Sequence, residues 1–171
     1  MFIWLTETGG MCRWLRAHTR TKDNKMSPYI IQLVANRGYC LGVQQASPGS
    51  NVVLSNLQGI GSKTTQWELD PNSGLITLAG SPNLCLDIQG NSPGNGVQLI
   101  VADYVLGRPT QIWNWVGSPP SIMNTGAPGF CVDNDSGNVT PGNKIQLWQQ
   151  TNGNANQMWT ELSVHMLKKA A

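Results

Sequence analysis

Three short segments of the sequence decide the fold: residues 39–43 read YCLGV, residues 84–88 read LCLDI, and residues 130–134 read FCVDN. The cysteines in these segments lie 45 and 46 residues apart. Each segment is followed by a tryptophan, and the spacing of the tryptophans is 46 residues both times: Trp67, Trp113 and Trp159. Self-similarity at a fixed period indicates one supersecondary unit that is repeated three times.

A third segment lies between each cysteine and its tryptophan, with NVVL at 51–54, GVQL at 96–99 and KIQL at 144–147. Because three landmarks recur in the same order, chance is a poor explanation. The units span 28–73, 74–119 and 120–163, and we call them repeats one, two and three.

Each repeat offers four short apolar runs separated by turn-rich segments; in repeat one they lie at 29–35, 39–43, 51–56 and 66–70. Four strands in three copies predict an all-β fold of twelve strands. Nineteen glycines and ten prolines favour the same class, because short strands need many turns. One repeat is too small to bury its own apolar face, whereas three around an axis can close a barrel.

The cysteine segment, the Gln-Leu segment and the Gln-x-Trp motif, in triplicate, resemble the ricin-B-type lectin domain over about residues 28–163. The resemblance implies a β-trefoil with pseudo-threefold symmetry that binds galactose, N-acetylgalactosamine or other sugars. Family members often pair the motif cysteine with a second one, and Gln150 stands at that place in repeat three. We therefore expect Cys40, Cys85 and Cys131 to be unpaired core residues.

Sugar recognition has simple physical requirements. The C–H face of a pyranose stacks on an aromatic ring, and its hydroxyls need fixed donors and acceptors. A carboxylate accepts from two vicinal hydroxyls, and each charge-assisted bond is worth about 1.5–3 kcal/mol. Side-chain amides donate to the same oxygens. A site should therefore combine an aspartate, an aromatic residue and one or two amides.

Repeat three contains the whole set: Asp133, Gln146, Trp148, Asn156 and Gln157. The resemblance implies that Asp133 accepts from the hydroxyls and that Trp148 is the stacking platform. It also implies that Asn156 and Gln157 orient the ligand or the aspartate. Strand alternation places Gln146 and Trp148 on the same side of their strand. We expect Asp133 at the surface; the alternative is a core Trp148 and a turn-capping Asp133.

Repeat two is partial, because Asp87, Gln98 and Gln111 are present while Ile100 replaces the aromatic residue. Its loop over residues 102–110 is interpreted as longer than that of repeat three, and Tyr104 on this loop is a candidate substitute platform. Asp87, Gln98, Tyr104 and Gln111 thus predict a second site. The alternative is a turn aspartate on a decayed repeat.

Repeat one lacks the set, since Gly42 replaces the aspartate, Val53 the glutamine and Ser55 the aromatic residue. We predict no site there. The motif tryptophans recur even in this repeat, so they are predicted to be core residues.

Composition and spacing argue against several other functions. Residues 27–165 hold four basic and seven acidic residues, and a mildly acidic surface disfavours nucleic acid. The cysteines form no CxxC pair, so neither a metal site nor a cofactor is expected. No stretch is long enough to span a membrane and no convincing signal peptide is present, so the compartment stays open. His18 and His165 have no positioned nucleophile, and Asp135 is interpreted as a loop charge, so catalysis is not predicted.

The two ends differ from the repeats. Residues 1–27 are basic and have no β pattern, which favours a disordered tail or sequence upstream of a start at Met26. A functional helix or a membrane anchor is the alternative. Residues 164–171 are interpreted as a short frayed tail.

These observations predict a non-catalytic carbohydrate-binding module whose partners are glycans, with self-association as one route to avidity. Two alternatives stay open. β-Trefoils also serve as protease inhibitors and signalling ligands, and the chain can be an appendage of a separate glycosidase or toxin chain. An inhibitor does not need the residue set of repeat three, which favours the lectin.

Overall fold

The computed structural model describes residues 27–57 and 62–170. Residues 1–26, to which the prediction of a basic tail applies, lie outside the described residues. The strands are β1 Tyr29–Leu33, β2 Tyr39–Val43, β3 Ser50–Asn56, β4 Trp67–Leu69, β5 Ile76–Leu78, β6 Ser81–Ile88, β7 Val97–Asp103, β8 Trp113–Gly117, β9 Pro120–Asn124, β10 Phe130–Asn134, β11 Ile145–Gln149 and β12 Trp159–Ser163. Single 3-10 turns lie at Gln89–Asn91, Pro109–Gln111, Asp135–Gly137 and Ala155–Gln157, and helix α1 is Val164–Ala170. The predicted all-β fold of twelve strands is confirmed.

Strand pairing makes the arrangement of the three repeats circular. β4 pairs with β5 and β8 pairs with β9, which joins successive repeats. β12 pairs with β1 from Tyr29↔Ser163 to Leu33↔Trp159, so repeat three returns to repeat one. Closure of this kind leaves few unpaired strand edges. The second and third strands of each repeat form the hairpins β2–β3, β6–β7 and β10–β11.

Three glycines hold these hairpins together around the pseudo-threefold axis. Each glycine has a positive φ between 82° and 87°, which would strain a residue with a side chain. Each donates its N–H to a third-strand carbonyl of the next repeat: Gly49 to Val101 (2.7 Å), Gly96 to Leu147 (3.0 Å) and Gly142 to Leu54 (2.8 Å). The loop of one repeat therefore lies beside the third strand of the next.

The motif tryptophans are core residues, as predicted. Trp67, Trp113 and Trp159 are between 0 and 2% exposed. A buried indole N–H needs an acceptor, and each finds the carbonyl of the residue that follows the motif cysteine of its own repeat: Leu41 (3.1 Å), Leu86 (3.0 Å) and Val132 (3.1 Å). The motif tryptophan thus ties the last strand of a repeat to its second strand.

The repeat cysteines are free and buried, which confirms the prediction made from the missing partner cysteines. Burial raises the pKa of the Cys40 thiol and of the Cys131 thiol to about 12. These thiols are therefore neutral, small, apolar side chains at physiological pH.

The end of the chain differs from the frayed tail that we expected. Residues Val164–Ala170 form helix α1, and Val164 is only 2% exposed. Val164 packs with Ile30 and Cys40, and Leu167 lies against the same small cluster. The helix forms because this i, i+3 pair of apolar side chains covers a second patch of core. Within residues 27–57 and 62–170, no helix combines the length and the apolar character needed to cross a membrane.

Candidate functional site

Asp133 lies at the base of the candidate site in repeat three. It is on β10, directly opposite Gln146 on β11, and it is 4% exposed. The expectation of a surface aspartate is therefore wrong. The Gln146 Nε2 donates to Asp133 Oδ1 and the Gln157 Nε2 donates to Asp133 Oδ2, both at 3.0 Å. Since each carboxylate oxygen has two lone-pair positions, each keeps one for a further donor.

Gln157 is a positioning residue for this carboxylate. It is fully buried on the 3-10 turn Ala155–Gln157, which packs over β10. Besides the bond to Asp133, its Nε2 donates to the Gln149 carbonyl (3.1 Å) and its Oε1 accepts from the Thr151 N–H (2.8 Å). Of the two roles that the resemblance implied for Gln157, the structure favours orientation of the aspartate.

The charge state of Asp133 reflects two opposing influences. Burial raises the pKa of its carboxyl group most, and the nearby negative charge of Asp135 raises it further. The hydrogen bonds from Gln146 and Gln157 lower this pKa, but they do not offset burial. Asp135 shares an amide with Asp133, because Gln146 Nε2 lies 3.3 Å from Asp135 Oδ1.

Trp148 forms the exposed side of the site. It is 38% exposed on β11, whereas the adjacent Leu147 is fully buried. A Cβ on Gly96 would lie 3.8 Å from Trp148 Cζ3 and 3.9 Å from Gln146 Oε1, so these two side chains lie on the same side of the strand. The alternative of a core Trp148 is thereby disfavoured. Repeat two supplies the neighbouring wall. A side chain on Gly96 would begin 3.8 Å from Trp148 Cζ3, and the Asn95 side chain accepts from the Gln149 N–H at 2.7 Å.

Asn156 lies at the rim and is half-buried. Its N–H donates to the Asn154 side chain at 3.0 Å. Its own amide lies against Gly137, where a Cβ would approach Asn156 Oδ1 to 2.7 Å. Glycine at this position therefore leaves room for the Asn156 amide between the two 3-10 turns.

Comparison with known proteins decides the family. The family model described as the ricin-type beta-trefoil lectin domain matches residues 27–159, which is most of the chain. The chain belongs to this family. It is therefore a carbohydrate-binding module of the β-trefoil class. A search of curated proteins found no match.

Solved structures agree on the fold. The designed threefold-symmetric protein ThreeFoil has a TM-score of 0.71 at 21% identity, and the match covers 80% of this chain and 98% of that one. The C-half of the earthworm R-type lectin, solved with GalNAc, has a TM-score of 0.62 at 17% identity and covers 80% and 98%. An exo-β-1,3-galactanase from Clostridium thermocellum has a TM-score of 0.68 at 21% identity, and the match covers 81% of this chain but 30% of the galactanase.

The lectin motif of repeat two has a different register from the one inferred above. Asp87 on β6 lies opposite Ile100, and Cys85 lies opposite Ala102. Ile100 therefore occupies the position of Gln146, and Ala102 that of Trp148. The separation from aspartate to motif glutamine is 24 residues in both repeats, so the loop in repeat two is not longer.

Two of the four residues predicted for the second site come together. The Gln111 Nε2 donates to Asp87 Oδ2 at 3.0 Å, as Gln157 does to Asp133. Gln98 is a wrong assignment, because it donates to the carbonyls of Val52 (2.8 Å), Leu99 (2.7 Å) and Ile145 (3.0 Å). It is a structural amide that joins all three repeats.

Tyr104 and Arg108 lie on the segment between β7 and β8 of repeat two. Tyr104 is 43% exposed just after β7, at the position of Gln150 rather than of the platform. Arg108, which the motif pattern did not point to, places its NH1 3.3 Å from Asp87 Oδ2. The sequence signal that could have identified Arg108 is its place three residues before the motif glutamine Gln111.

Repeat one has no counterpart of the carboxylate. A Cβ on Gly42 would lie 2.2 Å from Ser55 Oγ and 3.2 Å from Thr65 Cγ2, so neighbouring side chains fill the space. A shallow polar groove of ≈ 300 Å³ lies in the adjacent β2–β3 loop, lined by Gln44, Gln45, Ser47, Pro48, Gly49, Ser50 and Asn51. It has neither an aromatic ring nor a carboxylate. Within the described part of the chain, no three His, Cys, Asp or Glu side chains are placed to hold a metal ion.

Proposed function

We propose that this chain is a non-catalytic lectin module whose main site is in repeat three and binds a galactose or N-acetylgalactosamine unit. One observation carries the proposal. Two amides hold Asp133, and an acceptor position is left on each of its oxygens. The partly exposed Trp148 lies on the same side of β11 as Gln146, which bonds to Asp133. This combination meets the needs of a pyranose for an acceptor of vicinal hydroxyls and a ring to stack on.

The choice of sugar rests on the family. The resemblance to ricin-B-type lectins implies a galactose-type ligand, and the earthworm R-type lectin was solved with GalNAc. A single open site supports modest affinity, and a dissociation constant of about 1 mM corresponds to roughly −4.1 kcal/mol. Useful strength then comes from several sites acting together, through self-association or a second site.

The test is a glycan array followed by titration with methyl β-galactoside, using the full chain and the variant Trp148→Ala. Trp148 is exposed, so its removal should leave folding intact while it eliminates the stacking platform. We expect binding by the parent and a loss of about tenfold or more in the variant. Equal binding by the parent and the Trp148→Ala variant would show that the site is not in repeat three.

Absence of sugar binding by a well-folded parent would favour the alternative of a protein-binding β-trefoil. The appendage alternative concerns the context rather than the site. A module of this fold makes up part of the galactanase chain, and a lectin module of this kind would direct such a catalytic domain to its glycan.

A further inference from the structure

Arg108 distinguishes repeat two from repeat three. It ends a four-residue turn in which its N–H donates to the Val105 carbonyl at 3.1 Å. Asn154 ends the equivalent turn of repeat three with the same bond to Thr151 at 3.1 Å. The Asn154 side chain caps its own 3-10 turn, whereas the Arg108 side chain reaches across to Asp87.

The Asp87 carboxylate is consequently engaged within the protein. Its Oδ1 accepts from the Ile88 N–H at 2.7 Å, and its Oδ2 accepts from Gln111 at 3.0 Å and from Arg108 at 3.3 Å. Asp87 is 1% exposed. Oδ2, the oxygen that accepts from the motif glutamine in both repeats, therefore accepts two bonds in repeat two, whereas Asp133 Oδ2 accepts one and keeps a position for a hydroxyl. Since Ala102 also replaces the platform, repeat two is not built for a neutral sugar in the same manner.

In repeat two, the Arg108 guanidinium is the group available to a ligand. Arg108 has five N–H donors in a planar fork, and the bond to Asp87 uses one of them. The Arg108 side chain is 29% exposed, so a ligand in solvent can reach it. A buried carboxylate behind an arginine fixes its orientation, and a fixed guanidinium matches an incoming carboxylate with two parallel bonds.

We propose that repeat two holds a second binding site, which takes a carboxylate-bearing sugar through the Arg108 guanidinium. Asp87 anchors this arginine instead of accepting from sugar hydroxyls. The site extends the proposed lectin function to a second class of glycan, and it does not depend on the site in repeat three.

The turn that carries Arg108 is preorganised. Gln111 Oε1 accepts from the Val105 N–H at 2.9 Å, and Gln111 Nε2 donates to the Asp103 carbonyl at 2.9 Å. Gly107, with a φ of 75°, closes the turn. Tyr104 immediately precedes the turn and is 43% exposed, so its aromatic ring is available to the C–H face of a sugar. Little entropy is therefore lost when a ligand meets this surface.

Asp103 supplies an internal control. It is an exposed carboxylate that ends β7, five residues before Arg108, and its negative charge disfavours an anionic ligand. Asp87 carries the other nearby negative charge, which Arg108 offsets at 3.3 Å. Removal of the Asp103 charge should therefore strengthen binding of an acidic sugar and leave a neutral sugar unaffected.

The experiment compares methyl β-galacturonide with methyl β-galactoside, which differ in the carboxylate, by titration of the full ¹⁵N-labelled chain. We expect the uronide to shift the Gly107 amide and the Arg108 Nε–H signals, and to do so equally in Trp148→Ala. Arg108→Gln should weaken uronide binding about tenfold or more, and Asp103→Asn should tighten it about threefold.

Arg108→Gln leaves a buried carboxylate short of a partner, so Arg108→Lys provides a second variant that keeps the charge and loses the fork. Retained galactoside binding in either variant shows that the domain is folded. The proposal is overturned if the uronide does not bind the parent, if neither arginine variant weakens it, or if the galactoside shifts Gly107 in the same way. Loss of galactoside binding in Trp148→Ala concerns repeat three alone, so the two sites fail independently.

Discussion

Asp133 owes its behaviour to the 3-10 turn Ala155–Gln157, which covers strand β10 and leaves the carboxylate 4% exposed. A carboxylate in this position has two tasks, since it is the proposed acceptor for the sugar and also the acceptor for Gln146 and Gln157. The amides are buried, and a buried amide without an acceptor costs free energy.

Asp133→Ala should therefore affect both binding and stability. We expect loss of galactoside binding and a decrease of about 1–3 kcal/mol in the free energy of unfolding, because two buried amides lose their acceptor. Chemical denaturation beside sugar titration measures both. Trp148→Ala is the matched control, since it should lose binding at nearly unchanged stability. An unchanged unfolding free energy in Asp133→Ala would show that the amides find other partners.

The raised pKa of Asp133 makes a prediction about pH. Its carboxylate form accepts from the sugar, so binding should fall on acidification with a midpoint above the ordinary value for an aspartate. The contribution of Asp133 to stability changes with pH in the opposite direction. Between the unfolded and the folded pKa the native state holds more protons, so the Asp133 contribution to the unfolding free energy decreases as the pH rises through this window.

This dependence is measured by galactoside titrations and urea unfolding at a series of acidic pH values. Asp133→Asn should remove the corresponding slope from the stability curve, because the titrating group is gone. A binding midpoint at or below the ordinary aspartate value would contradict the cause assigned to the shift, which is burial followed by the charge of Asp135.

At the scale of elements, a 3-10 turn precedes the motif tryptophan in repeats two and three, and its last residue, the motif glutamine, connects several strands. Gln157 bonds to Asp133, to the Gln149 carbonyl and to the Thr151 N–H. Gln111 makes the same three bonds in repeat two, to Asp87, Asp103 and Val105. The motif glutamine therefore connects the second strand, the third strand and the following turn of its repeat.

The two glutamines form a matched pair for mutation. Gln157→Ala and Gln111→Ala each remove three hydrogen bonds from a fully buried side chain, so both should lower the free energy of unfolding by about 2–3 kcal/mol. Gln157→Ala should also lose galactoside binding, because Asp133 is no longer oriented, whereas Gln111→Ala should retain it. Equal loss of binding in both variants would indicate a general loss of structure rather than a local role.

The elements also show how far sequence reasoning reached. The cysteine and tryptophan spacings predicted the strands correctly because both residue types are buried at fixed points of the hairpins. The Gln-Leu segment gave a wrong assignment in repeat two, because Gln98 lies two residues before Ile100, which takes the position of Gln146. The Gln98 amide bonds to three backbone carbonyls instead. The aspartate-to-glutamine separation was the better guide, since one hydrogen bond spans it in both repeats.

Other features depended on packing that a linear pattern does not contain. The burial of Asp133 arises from a turn 22 to 24 residues away in the chain, and the contact of Arg108 with Asp87 spans 21 residues. Helix α1 is too short to be stable by propensity, and it forms because Val164 and Leu167 meet the cluster around Ile30.

For the whole molecule, the three repeats share one scaffold and differ in chemistry. Strand pairing closes the ring from β12 to β1, and the glycine contacts join each hairpin to the next repeat, so all three repeats depend on one another for burial. On this scaffold repeat three keeps an open carboxylate, repeat two has its carboxylate bonded to Arg108, and repeat one has Gly42 at that position. Symmetry of the fold therefore does not imply symmetry of binding.

This difference predicts the valency for neutral sugars. One equivalent of methyl β-galactoside should bind per chain, because only repeat three of the described repeats combines an available carboxylate oxygen with an exposed aromatic platform. Calorimetric titration at high protein concentration measures the stoichiometry, and Asp133→Ala should abolish all of the heat. A stoichiometry of two, or residual heat in the variant, would place a neutral-sugar site in repeat one or two. With a single weak site per chain, multivalent galactosides gain affinity only where two chains associate. Sedimentation of the chain alone measures whether the chains associate.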